Sequence, residues 1–131
     1  MGCGGTYVQW DKNWSVTGPS DYLEAKLNWD TGLDWKKTLK KYCAHAFGKG
    51  APFMEKYYLL LVEKQHGAGL EAGSYHSFYL IYDQVFIQDA QALFDSAARA
   101  ADTEKNKTLI AYSREPVEML EIYLAYRRAF T

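Results

Sequence analysis

A mainly α-helical domain of about five helices in a bundle-like arrangement, led by one short extended strand, is the fold class that this sequence predicts. Three observations carry it. Apolar residues recur at three- and four-residue spacing over most of the chain after Ser20. Asp, Ser and Thr stand where helices need caps, and glycines stand where they need to end. Only Gly4 to Trp10 reads convincingly as a strand, and no second strand follows to pair with it. A lone strand leaves its backbone donors and acceptors unpaired, and even a two-stranded hairpin is marginal in water. The strand is therefore expected to join a sheet supplied from elsewhere. On this reading residues 1–131 are one helical domain and a C-terminal fragment of a larger protein, with 1–19 as strand and loop and 20–131 as the helical region.

Taken in order, Gly4-Gly5-Thr6-Tyr7-Val8-Gln9-Trp10 is the strand, and Asp11 to Ser20 is a polar connection that carries Trp14, with Trp10 at its entry. Ser20 caps the first helix. Its Tyr22, Leu23, Ala25, Leu27 and Trp29 are apolar on more than one face, as in a helix buried on several sides. Asp30-Thr31-Gly32 ends it, and Asp34 caps a second helix built on Trp35, Leu39, Tyr42, Cys43, Ala46 and Phe47. Gly48 supplies the stop. Pro52 suits the first turn of a third helix, which Phe53, Met54, Tyr57, Tyr58, Leu60 and Leu61 carry to about Gln65, before Gly67, Gly69 and Gly73 break it. The aromatic and β-branched stretch Tyr75 to Ile87 reads as an extended connection, with a further helical turn as the alternative. From about Gln88, Ala90, Leu93, Phe94, Ala97, Ala98 and Ala101 mark a fourth helix. Asp102-Thr103 caps the last, Glu104 to Ala129, where Pro116 predicts a kink near Tyr112 to Glu115.

The chain has 131 residues, 48% of them hydrophobic, which suffices for a real core. Its net charge of -1 gives no reason to expect a nucleic-acid partner, because phosphate binding needs clustered Lys and Arg. The basic run Lys36-Lys37 and Lys40-Lys41 is read as a solvated helix face. No stretch approaches the roughly 20 apolar residues that span a bilayer, so no membrane partner is expected. Met1-Gly2-Cys3 does not open a secretory signal, and the compartment stays open. Cys3 and Cys43 are too few for a disulfide framework or a zinc site.

No catalytic set emerges from the spacing. Asp11 follows the strand as a solvated or capping group, and Asp21 with Glu24 reads as capping and dipole complements of a helix's first turn. His45 sits two residues from Cys43, which points the side chains apart, while His66 and His76 flank a glycine-rich loop in no known ligand pattern. Gly2-Cys3-Gly4-Gly5 precedes a strand, opposite to what a dinucleotide site needs. No catalytic residue, metal or cofactor is assigned. The 11 Tyr, 4 Trp and 6 Phe invite a carbohydrate reading, since flat rings stack on sugars. Trp29, Trp35, Tyr57 and Phe94 fall on apolar stripes and are read as core. Trp10 and Trp14, in a loop, are the candidates for sugar contact.

Three phrases carry a family resemblance: Gly4-Gly5-Thr6-Tyr7-Val8-Gln9, then Asp21-Tyr22-Leu23-Glu24-Ala25-Lys26-Leu27-Asn28-Trp29-Asp30, then Phe47-Gly48-Lys49-Gly50-Ala51-Pro52-Phe53-Met54-Glu55-Lys56-Tyr57-Tyr58. In this order they resemble the C-terminal part of a bacterial family of glycoside-hydrolase-like proteins similar to α-glucuronidases and hexosaminidases. There the last strand of an α/β barrel leads into a "YLxAKLxWD" helix and a "YGxAAPxM" turn that open an all-helical region. Leu93-Phe94-Asp95-Ser96-Ala97 and Tyr112-Ser113-Arg114 resemble that region's last two helices. The resemblance implies that Gly4 to Trp10 is the barrel's last strand. Gln9 and Trp10 then lie at the end where barrel sites are built, and the catalytic carboxylates come from earlier strands. The expected partners are the parent's catalytic barrel and carbohydrate, with self-association through an exposed apolar face. The expected role is non-catalytic support of a glycoside hydrolase, with Gln9, Trp10 and Trp14 at the rim of its sugar site and an extracytoplasmic location open to the parent. Two alternatives are an independent glycan-binding module and a structural or oligomerising helical domain.

Overall fold

The computed structural model describes residues 14–70 and 77–130, and the expected strand, Gly4 to Trp10, lies outside them. The described residues form helices α1 (Trp14–Trp29), α2 (Trp35–Phe47), α3 (Ala51–Ala68), the single turn α4 (Phe78–Ile81), α5 (Gln84–Ala100) and α6 (Glu104–Ala129). A 3-10 turn, Gly48–Gly50, joins α2 to α3. The mainly helical, bundle-like class is thus the one observed. Helix α3 lies between α2 and α5, α5 packs on α6, and α1 leans on α2 and α6.

Helix boundaries follow local chemistry. Asp34 Oδ1 accepts from the backbone N–H groups of Lys36 and Lys37 at 3.0 and 3.2 Å, as a cap must to satisfy first-turn donors. Thr103 Oγ1 accepts from Asn106 N at 3.1 Å and starts α6. Gly48 (φ 53°) ends α2, and Gly69 (φ 60°) ends α3 in the left-handed region. Pro52 occupies the first turn of α3, where its missing N–H costs nothing.

The core is aromatic. Phe47, Phe86, Phe94, Leu39, Met54 and Ile110 are fully buried. Ring contacts run from Tyr22 on α1 through Tyr42, Phe47, Tyr58 and Tyr57 to Phe94 on α5, with centroids 4.5 to 6.2 Å apart.

Four expectations are corrected. Ser20 does not cap α1, and Asp11 to Ser20 is not wholly a connection, because the helix starts at Trp14 and contains Pro19. Pro19 stands in the second turn, past the first-turn N–H groups that lack helical partners, so its missing N–H costs α1 one backbone bond. Helix α1 is peripheral, not deep: Glu24, Ala25, Asn28 and Trp29 are exposed, and Trp29, expected in the core, is 92% exposed. Tyr75 to Ile87 is not extended throughout. Phe78–Ile81 form a helical turn, only Tyr82 and Asp83 follow in extended backbone, and α5 begins at Gln84. Asp83 Oδ1 caps it by accepting from Phe86 N at 2.7 Å. Burial of Phe86 and Ile87 on the same stripe as Ala90, Phe94 and Ala97 overrode their β-propensity. The third helix passes Gln65 and Gly67 and stops only at Gly69.

Helix α6 is continuous through Pro116. The missing N–H leaves the Tyr112 carbonyl without its helical donor.

Gly50 is the most closely packed of the described glycines. A Cβ there would meet Ala97 O and Ile110 Cδ1, each at 2.9 Å. Gly50→Ala is expected to lower unfolding free energy by about 1–3 kcal/mol, measured by urea denaturation. An unchanged midpoint would show that α5 and α6 yield at this contact.

Candidate functional site

Of the residues singled out for sugar contact, Gln9 and Trp10 lie outside the described residues, as do Asp11 and His76. Trp14 is the first residue of α1 rather than part of a loop. Asp21 and Glu24 stand in the second and third turns of α1, so neither complements a first turn. His45 and His66 are exposed on α2 and α3. Four of the described aspartates cap helices or pair with basic side chains instead. Asp34 and Asp83 cap helices, Asp95 accepts from Arg114 at 2.7 Å, and Asp102 pairs with Lys49 at 3.6 Å.

A half-open pocket of about 620 Å³ is lined by α1, α2, α3, α5 and α6. Leu23, Leu27, Leu39, Leu61, Phe86 and Leu120 give it an apolar wall drawn from all five helices. None of the described lining residues carries a charged side chain. Pro116 and Val117 of α6 face the same space. Thr17, Ser20, Tyr57 and Tyr58 also line it, and two further polar residues form a pair on adjoining elements, in which Gln65 Nε2 donates to Tyr82 Oη at 3.0 Å. Tyr82 itself is buried and sits in a ring contact with Phe86, centroids 4.7 Å apart.

Burial keeps the groups around this space neutral. The phenols of Tyr57 and Tyr58 are pushed up by desolvation, reinforced at Tyr57 by Tyr82 and opposed at Tyr58 by its hydrogen bond to Ser113. Tyr82 is raised by burial against the opposing bond from Gln65. The Cys43 thiol, fully buried on α2, is pushed up to about 12 by burial and by the charge of Glu55, which keeps it protonated near neutral pH.

A second feature lies on the outside of α6. Tyr112, Met119, Ile122, Tyr126 and Phe130 are between 52% and 75% exposed and recur at three-, four- and seven-residue spacing. Ile110, Ser113, Val117 and Leu124 form the buried side of the same helix. At about 100° per residue, Met119 and Ile122 point away from Val117 and Leu124.

No pattern in the sequence leads to the cavity. Its wall comes from five helices, and Tyr82 lies in the stretch expected to be an extended connection. The outer stripe had a signal in the spacing of Tyr112, Met119, Ile122 and Tyr126, masked by the equally regular inner stripe. No helix among the described residues is long and apolar enough to cross a membrane. No protein-family model, curated protein or solved structure matches the chain.

The buried hydroxyls and thiol make stability depend on alkaline pH. Each group binds its proton more tightly in the fold than in the unfolded chain. Between the two pKa values the unfolded state therefore holds fewer protons, and stability falls as pH rises. The urea midpoint is expected to be level from about pH 6 to about pH 8.5 and to fall from about pH 9 upward. A midpoint that holds through about pH 11 would overturn the burial of Cys43, Tyr57 and Tyr58.

Proposed function

We propose that the chain is the non-catalytic C-terminal helical region of a carbohydrate-active, glycoside-hydrolase-like protein, supporting the catalytic barrel by packing an apolar helix face against it. Gln9, Trp10 and Trp14 belong on this reading to the rim of the barrel's sugar site. The observation that carries the reading is the outer stripe of α6, five large apolar residues with no cover among the described residues. Such a face marks an interaction surface, since contiguous exposed apolar area is costly for a lone domain. The bare Trp29 on α1, the helix nearest the expected barrel strand in sequence, supports the same reading. So does the position of the family-like phrases. Asp21 to Trp29 lies in α1, and Phe47 to Met54 spans the turn between α2 and α3. The resemblance leads one to expect a helix and then a turn at those places.

Where the barrel is absent, the same stripe is available to a second copy, and self-association follows from it. The test uses the barrel encoded upstream in the same gene, expressed separately and titrated with this chain in a calorimeter. Binding is expected, weakened about tenfold or more by the double change Met119→Lys and Ile122→Lys. An upstream frame that encodes no barrel, or an affinity indifferent to both changes, overturns the proposal. Sedimentation of the chain alone is expected to show concentration-dependent association that the same double change abolishes. Strictly monomeric behaviour of the unaltered chain overturns that part.

A further inference from the structure

We propose that the pocket lined by α1, α2, α3, α5 and α6 is a binding site for an uncharged, flat, mainly apolar small molecule that carries one hydrogen-bond acceptor. This goes beyond the docking role, which uses the opposite side of α6.

The size argues for a ligand. A volume of about 620 Å³ is several times the gap of roughly 150 Å³ that a truncated core side chain leaves, and it falls within the range of small-molecule sites. The neighbouring core is closed, with Phe86, Phe94 and Met54 fully buried, so the space is not a sign of loose packing throughout.

The lining selects the chemistry. A charged ligand would lose its hydration with no opposite charge among the described lining residues to replace it. A sugar would bury several hydroxyl groups against leucines and valines, each at a cost. Flat rings fit better, because Phe78, Tyr82 and Phe86 form a wall of successive aromatic contacts, centroids 6.0 and 4.7 Å apart. The acceptor follows from the polar pair. Tyr82 Oη already accepts from Gln65 Nε2 at 3.0 Å, so its own proton is left to donate, and no described residue takes it. A carbonyl group on the ligand would. Burial holds that phenol in its protonated, donating form.

The probe is prodan, an uncharged naphthalene ketone whose emission reports both polarity and hydrogen bonding. Titrated into the intact chain, it is expected to bind saturably at one per chain with blue-shifted emission. Two fillers of the space, Leu120→Trp and Leu27→Trp, are each expected to weaken it about tenfold or more. Tyr82→Phe is expected to weaken it about fivefold and to move the bound emission further to the blue, because the carbonyl loses its donor. Circular dichroism establishes that each variant is folded. If both fillers fail to fold, Tyr82→Phe decides alone, and unchanged emission from its bound dye overturns the proposal. Absence of saturable binding overturns it as well. Loss of binding with Met119→Lys and Ile122→Lys but not with the fillers places the dye on the outer face and also overturns it, leaving the docking proposal standing.

Discussion

The close approach of the Gly48–Gly50 turn to α5 and α6 sets the relation among four helices at once. Gly50 lies against Ala97 O on α5 and Ile110 on α6, at a distance no larger side chain accepts. A few residues earlier, the Ala46 carbonyl near the end of α2 accepts from Asn106 Nδ2 at 2.9 Å, and Asn106 is buried at the start of α6. Helix ends leave carbonyls without helical partners, and an amide from a neighbouring helix answers one of them while fixing where that helix begins. Gly48 can occupy its left-handed backbone next to Asn106 and Asp102 because it has no Cβ to meet them at 3.1 Å. Helices α2, α3, α5 and α6 thus converge on one corner. The Tyr57 and Phe94 rings then close the α3 to α5 interface from within, 4.5 Å apart.

Helix α1 takes no part in that corner, which explains why it can sit at the margin. It touches α2 and α6 along one side, through residues such as Leu23 and Leu27, and leaves the cavity between itself and the bundle. A helix that closed down onto Leu39, Leu61 and Leu120 would remove the space and bury its remaining apolar residues. Instead Trp29 stands in solvent. The apolar content of α1 exceeds what the described contacts use, and the same is true of α6.

The sequence was most informative where a backbone requirement and a burial pattern agreed. Asp34, Gly48, Pro52 and Thr103 each stood beside a regular apolar stripe, and each marks a helix end in the fold. It misled where the two signals separated. Asp11 to Ser20 carried the polar residues of a connection although the helix already runs from Trp14, and Phe78 to Ile87 carried strand-forming residues whose burial favoured helix. Helix α1 shows the deeper difficulty. Tyr22, Leu23, Leu27 and Trp29 say that several faces want cover, but a one-dimensional pattern cannot say whether the cover comes from this chain or from another. The cavity was beyond reach for a related reason. Leu39, Leu61, Phe86 and Leu120 each look like ordinary core positions, and only their three-dimensional arrangement shows that they leave a space between them.

Helix α6 joins the two functional proposals through a single physical property, its pair of opposed apolar faces. Val117 and Leu120 look inward to the cavity, while Met119 and Ile122 look outward. A helix on the surface of a self-sufficient domain has one apolar side, whereas one apolar on two sides is suited to burial between two bodies. Pro116 and Tyr112, four residues apart and so about 40° from each other around the axis, stand where the two faces meet. A docking surface that offers apolar side chains along the outer stripe would cover Met119 and Ile122, and it would bear on the same helix whose other side walls the cavity.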